Sequence, residues 1–299
     1  MQGLKVGHFT DREKGTGLSV FLFDRPAVGA YLLCGSGSAT HELAPLDPEG
    51  SVCNLHGLTL SGGSAFGLFT AEGVMRFLAE RGMGLTLPNG VIPIVPAAAI
   101  YDLGYKKPEA PTAEDAYRAC LNAYENNCDS GQMGAGTGAT VGKIIPEATC
   151  MSSGIGYAEM ALANGVNVVA YAVVNAVGDI RDAEGKIVAG ARLANGKFAD
   201  CRQFLLTGKG EEVLFFDHTN TTLVAVFTNA KFSKAELKRI SKMAIAGLGQ
   251  AVSPVFTCYD GDILFSISVG ELAASVLTVG VLAAEVVRRA ILNAVKDAQ

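Results

Sequence analysis

Hydrophobic and polar positions along the chain alternate between two kinds of pattern. Residues 18–23 and 27–34 are short β-type runs, and Asp24-Arg25-Pro26 between them predicts a hairpin turn. Residues 62–81 place Phe66, Phe69, Val74, Phe77 and Leu78 against Glu72, Arg76 and Glu80 on other faces, which predicts a helix. Gly82-Met83-Gly84 stops it. Residues 91–96 read as a proline-punctuated strand or loop. Thr112 is placed to cap a second helix, and Ser233 with Glu236 forms a capping-box pattern for a third. Residues 167–177 are a long β-branched run, and residues 182–185 read as a hairpin turn. Residues 209–218 read as a polar connector, 222–227 and 262–269 as strands, and 271–296 as a closing helix. Strands and helices come in pairs rather than strict alternation, which favours antiparallel sheet layers covered by helices.

Composition narrows the class. Of 299 residues, 49% are hydrophobic and 18% charged, enough to build a large core and too apolar for disorder. The most apolar stretch, 272–284, is bounded by Glu271 and Glu285 and is too short to span a bilayer, so it reads as part of a buried helix. The first eight residues carry no apolar signal core. A net charge of −5 gives no reason to expect a nucleic-acid partner. The seven cysteines are odd in number and lack CxxC spacing, and the four histidines lack metal spacing. Reduced cysteines in a cytoplasmic protein are expected, with no metal or organic cofactor.

The chemistry concentrates near residue 220. Asp217-His218-Thr219-Asn220-Thr221-Thr222 is a polar knot, and the apolar run from Leu223 to Val226 starts at once. A cut between Asn220 and Thr221 would give Thr221 a free α-amine beside its own Oγ. Such an amine has a reference pKa of roughly 7.7–8.0 and is a usable base near neutral pH. The same stretch also reads as a strand entered through an ordinary Thr-rich turn.

Three further segments carry groups that an amide-cleaving site needs. The run from Gly134 to Lys143 lets backbone pass close to a ligand, but Ile144 stands where a phosphate loop needs Ser or Thr. Asn175 interrupts a β-branched run; buried, its amide must be hydrogen-bonded, and it can serve as an oxyanion donor or as a strand-end group bound to backbone. Asp260 and Asp262 flank Gly261, and on an extended strand they would share a side. They could orient a hydroxyl, hold an ammonium or share a proton. They also resemble a fragment of a calcium loop whose other ligands are missing, or a solvated turn.

Taken in order, these segments resemble the P1 family of self-processing N-terminal-nucleophile peptidases, which includes the L-aminopeptidase/D-esterases, the β-peptidyl aminopeptidases and the endo-type nylon-oligomer hydrolases. The opening residues 3–11, the stretch 60–68, the stretch 92–104, the glycine run 134–143, Val173 to Asp179, Asn220 to Val226 and Asp260-Gly261-Asp262 all fall in family order. The resemblance implies a four-layer αββα sandwich of mixed α/β (α+β) class over residues 1–299 as one domain. It implies self-cleavage of a zymogen between Asn220 and Thr221, giving 1–220 and 221–299, with Thr221 as nucleophile. Asn175 matches the family's oxyanion-side asparagine, Lys143 a lysine near the nucleophile, Asp260 and Asp262 a carboxylate pair, and Tyr101 a tyrosine lining the site. The threonine and the Asn-Thr junction are nearer the nylon-hydrolase branch, because the aminopeptidase branches use serine. His41-Glu42 stands where the family usually has Arg-Glu.

The expected activity is hydrolysis of a small peptide, amino-acid amide or amide oligomer through an acyl-enzyme, by a homo-oligomer of cleaved heterodimers. Two other readings remain open at the level of sequence. One is an acyltransferase of the ornithine-acetyltransferase type, and the other is a non-catalytic binding relative of the same fold.

Overall fold

A computed structural model describes residues 1–208 and 220–296. The polar connector expected at 209–218, with Asp217, His218 and Thr219, lies outside the described residues. The main strands are β1 (Leu4–Asp11), β2 (Thr16–Leu33), β3 (Leu55–Ser61), β4 (Ala97–Ala99), β5 (Ile155–Ala161), β6 (Asn167–Asn175), β7 (Thr221–Ala230) and β8 (Ile263–Leu272). The main helices are α1 (Thr70–Ala79), α2 (Ala113–Leu121), α3 (Lys234–Ala251) and α4 (Val276–Lys296).

Strand β2 organises the architecture. Its first half pairs antiparallel with β1 on one side and β3 on the other. Its second half pairs antiparallel with β8. The strand thus belongs to two sheets, one running β1-β2-β3-β4 and the other β5-β6-β7-β8-β2. The hairpin expected at Asp24-Arg25-Pro26 does not form. Leu22 pairs with Gly57 and Ala27 with Leu55, so the intervening residues bulge outward while the strand crosses from sheet to sheet. Proline is tolerated there because a bulge asks for no ladder hydrogen bond from it. The turn that does form joins β1 to β2 and closes on Gly15 at φ +76°.

Strand periodicity sorts side chains into three apolar layers. Leu223, Ala225 and Phe227 of β7, Tyr171 and Val173 of β6 and Phe265 of β8 meet Phe21 and Phe23 of β2 between the sheets. There the Phe21 ring lies 5.1 Å from Tyr171 and 5.2 Å from Phe227, centroid to centroid. The opposite faces of β6 and β7, with Ala170, Ala172, Val224 and Val226, pack under α3 and α4. Leu18, Val20 and Leu22 of β2 pack under α1 and α2. The order from outside to outside is helices, sheet, sheet, helices: the αββα sandwich.

Local signals explain most helix boundaries. Thr112 and Asp115 exchange side-chain-to-backbone bonds at the start of α2, and Ser233 and Glu236 do so at the start of α3. The helix expected over 62–81 begins as a 3-10 segment, Ser64–Phe69, before α1. The closing helix starts later than its hydropathy implies. Glu271 and Leu272 end β8, and α4 begins at Val276, because β8 extends past Val269 on its pairing with β7. Among the described residues, no helix is long and apolar enough to cross a membrane.

Candidate active site

Strands β6 and β7 run antiparallel, with Val173 opposite Leu223 and Val174 opposite Thr222; the ladder ends with Asn175 opposite Thr221. The same alternation that buries Leu223 and Val224 therefore brings Asn175 and Thr221 side by side at the end of the sheet. Thr221 is 4% exposed, Asn220 3% and Asn175 1%. Thr221 Oγ1 donates to the carbonyl oxygen of Asn220 at 2.5 Å. The Gly261 N–H donates to the same oxygen at 2.8 Å. The Thr221 hydroxyl and the carbonyl that precedes it are thus in contact, with a second donor already on that carbonyl.

The glycine run supplies the cation. Gly142 N–H bonds the Gly178 carbonyl at 3.0 Å and Lys143 N–H bonds the Val177 carbonyl at 3.0 Å, which lays this backbone beside the end of β6. Gly142 has φ +77°, and a Cβ there would come within 2.0 Å of Ala191 N, so a larger residue would push Lys143 away from the sheet. Lys143 Nζ donates to Asn175 Oδ1 at 2.6 Å and to the Asn175 carbonyl at 3.1 Å. Thr140 N–H donates to the same Oδ1 at 3.1 Å, and Asn175 Nδ2 donates to the Tyr101 carbonyl at 3.2 Å. These partners fix the asparagine's amide orientation, with its oxygen toward the cation.

Asp262 does not open the strand expected over 262–269, since β8 begins at Ile263, and of the readings open for the Asp260/Asp262 pair the turn is the one that forms. Both lie on the turn before β8, and Asp260 makes an isolated parallel bridge with Asn220. Each carboxylate has its own partners. Asp260 Oδ2 accepts from Thr257 Oγ1 at 2.6 Å and Thr257 N–H at 2.9 Å. Asp262 Oδ1 accepts from Thr222 N–H at 2.6 Å, immediately beside the Thr221 junction. Burial and then the neighbouring Asp260 charge push the Asp262 carboxyl up to about 7, against the pull of the Thr222 and Phe256 backbone donors. Burial raises Asp260 as well.

Sequence reasoning passed over Asp102. It follows Tyr101 and is 3% exposed. It accepts from Thr16 Oγ1 and the Gly63 N–H, both at 2.7 Å. Burial pushes it up to about 6 against those bonds. By tying the residue after Tyr101 to β2 and the loop before α1, it holds the Tyr101 carbonyl where Asn175 reaches it. The only hint in the sequence was its adjacency to Tyr101. A cavity of about 590 Å³ meets the cluster at Lys143 and Asn220, and is lined among others by Tyr101, Asp102, Tyr105 and Ser152; Thr221, Asn175, Asp260 and Asp262 are not among its lining residues. Tyr101, 37% exposed, presents its ring there and its carbonyl to Asn175. Among the described residues, no group of three or more His, Cys, Asp or Glu side chains could hold a metal ion.

Chemically, the arrangement joins a buried hydroxyl touching a peptide carbonyl, a lysine-oriented amide and two carboxylates of raised pKa. Known proteins resemble this chain over long spans. An uncharacterized aminopeptidase of Mycobacterium leprae is 34% identical over 92% of this chain and 79% of its own length. A 6-aminohexanoate-oligomer endohydrolase of Kocuria sp. is 28% identical over 95% of this chain and 88% of its own. The solved L-aminopeptidase D-Ala-esterase/amidase of Ochrobactrum anthropi, described as a variant of the Ntn hydrolase fold, superposes with a TM-score of 0.73 at 16% identity, over 100% of this chain and 85% of its own. The family model described as Peptidase family S58 matches residues 1–299. With that match running over the whole length, the chain belongs to peptidase family S58.

Proposed function

We propose that this protein is an amide-bond hydrolase that cuts itself between Asn220 and Thr221 and then uses the N-terminal Thr221 as its nucleophile. The observation that carries the reading is the 2.5 Å contact between Thr221 Oγ1 and the Asn220 carbonyl oxygen. A threonine held against its own preceding carbonyl is arranged for an N-to-O acyl shift. In the cut enzyme the α-amine of Thr221 takes the hydroxyl proton, directly or through a water, as Oγ attacks a substrate amide. The amide nitrogen leaves with a proton, and water then hydrolyses the acyl-enzyme ester.

The surrounding groups fit this chemistry. Lys143, bonded to Asn175 across the ladder from Thr221, would bring positive charge toward the reacting hydroxyl and oppose protonation of the new amine. Asn175, its oxygen engaged by Lys143, turns its N–H₂ away from the cation as an oxyanion donor for the substrate. Asp262 grips the Thr222 N–H and so fixes the backbone that carries the nucleophile. Asp260 stands beside it on the turn. The cavity over Tyr101 and Lys143 is the place for the substrate's acyl group. Relatives named as an aminopeptidase and an oligomer endohydrolase support a peptide or amide-oligomer substrate.

Intact-mass measurement of the purified chain under denaturing conditions tests the reading. Two species matching 1–220 and 221–299 are expected. A single chain that stays whole on prolonged incubation would sink it.

A further inference from the structure

The turn that carries both carboxylates is gripped from outside by residues 34–38. The Cys34 and Gly35 N–H groups donate to the Asp262 carbonyl at 2.9 and 3.1 Å. The Ser36 and Gly37 N–H groups donate to the Asp260 carbonyl at 2.8 and 3.1 Å. Ser38 Oγ donates to the Gly261 carbonyl at 2.8 Å. Three consecutive carbonyls are therefore held by one short strap. The fit is close: a Cβ on Gly35 would stand 2.1 Å from the Asp260 oxygen.

The planar trans peptide turns this grip into aim. The Asp260 carbonyl and the Gly261 N–H belong to one peptide unit and point in opposite directions. With the carbonyl held by Ser36 and Gly37, the N–H is directed the other way, onto the Asn220 carbonyl oxygen at 2.8 Å. That oxygen is the atom on which negative charge develops when Thr221 attacks.

We infer that the Gly261 amide is the oxyanion donor of self-cleavage, aimed by the 34–38 strap and separate from Asn175, the donor for substrate. The inference rests on the self-cleavage reading above. In the step it serves, Thr221 Oγ bonds to the Asn220 carbonyl carbon and the carbonyl π pair moves onto oxygen, where Gly261 N–H stabilises it. The pair then returns, the Asn220–Thr221 C–N bond breaks, and the hydroxyl proton ends on the Thr221 nitrogen. Water adds to the resulting ester, releasing the Asn220 carboxyl and restoring the Thr221 hydroxyl. Ser38 and Gly35 act as positioning residues, through the turn.

The direct test replaces Gly261 by glycolic acid in cell-free translation, which exchanges the N–H for an ester oxygen without adding a side chain. The rate at which the intact chain becomes 1–220 and 221–299 is followed by mass. Loss of one oxyanion donor typically costs about 10²–10³ in rate, and a slowing of that size is expected. Ser38→Ala is expected to slow conversion about tenfold by the same logic, with Ser38→Thr restoring it through the retained hydroxyl. Conversion of the glycolate chain at the parent rate overturns the inference. If the glycolate chain fails to fold, parent-rate conversion of Ser38→Ala overturns it instead. Thr221→Ala serves as the control, because cleavage in that variant would overturn the nucleophile assignment and not the Gly261 role alone.

Discussion

Asn175 and Thr221 are the last partners of the β6–β7 ladder, so the register that packs the core also sets the proposed nucleophile beside its amide. A slip of one residue would turn Thr221 to the other face and bury nothing correctly. Site and core are therefore specified by one pattern, carried on two interior strands of the sheet.

Removing the hydroxyl of Thr221 is expected to abolish processing. Thr221→Ala should remain one chain by intact mass, and Thr221→Ser, which keeps Oγ, should still divide. A Thr221→Ala preparation that divides at the same bond would show that another group does the cutting.

Asn175→Asp separates the two ends of that side chain. The carboxylate still accepts from Lys143 and Thr140 but no longer donates. A fall in kcat of about 10²–10³ is expected, with KM changed far less, because the lost bond forms mainly in the transition state. Steady-state kinetics on a chromogenic amide would read this out, and a change confined to KM would contradict it.

The raised pKa of Asp262 has a stability consequence. Below its ordinary value of 3.8 the carboxyl is protonated in both folded and unfolded chains. Between there and about 7 the unfolded chain releases the proton while the folded chain keeps it, so stability falls as pH rises. Asp262→Asn removes this loss. In a Thr221→Ala background, chosen to keep the chain whole, the melting midpoint of the Asn variant should gain on its parent between about pH 4 and about pH 7. A constant offset across that range would contradict the assignment.

The sequence made the layered class legible through paired strand and helix patterns, with an N-cap at Thr112 and a capping box at Ser233, and the order of its motifs pointed to the candidate site. It misread β2, because an Asp-Arg-Pro bulge and an Asp-Arg-Pro turn look alike in one dimension. Only the partners of Leu22 and Ala27 distinguish them. It started the strand at Asp262 and left Asp260 between strand and turn, because spacing says nothing about where a strand begins. Asp102 and the grip of residues 34–38 on the DGD turn were invisible, since both act through contacts distant in sequence and partly through backbone atoms that no residue code records.

Phe227 lies where the two sheets meet, close to both Phe21 and Phe23. Phe227→Ala should cost about 3–5 kcal/mol, because the rigid sheets cannot collapse into the space it leaves. Thermal or denaturant unfolding would measure this. A loss under about 1 kcal/mol would mean that the aromatic layer repacks freely.

The strand order carries one last implication. Running β5-β6-β7-β8-β2, the second sheet alternates its ownership if the chain is cut before Thr221: β6 and β2 belong to the first piece, and β7 and β8, between them, to the second. The two pieces are dovetailed like joinery rather than laid side by side. Neither can be drawn out without unzipping two ladders and opening the apolar layers above and below. Such halves would not trade places with those of a neighbouring molecule, and heating would release them only as the fold itself is lost. The broken peptide bond would leave the molecule as durable as before, with its new terminus held in place at the end of the sheet.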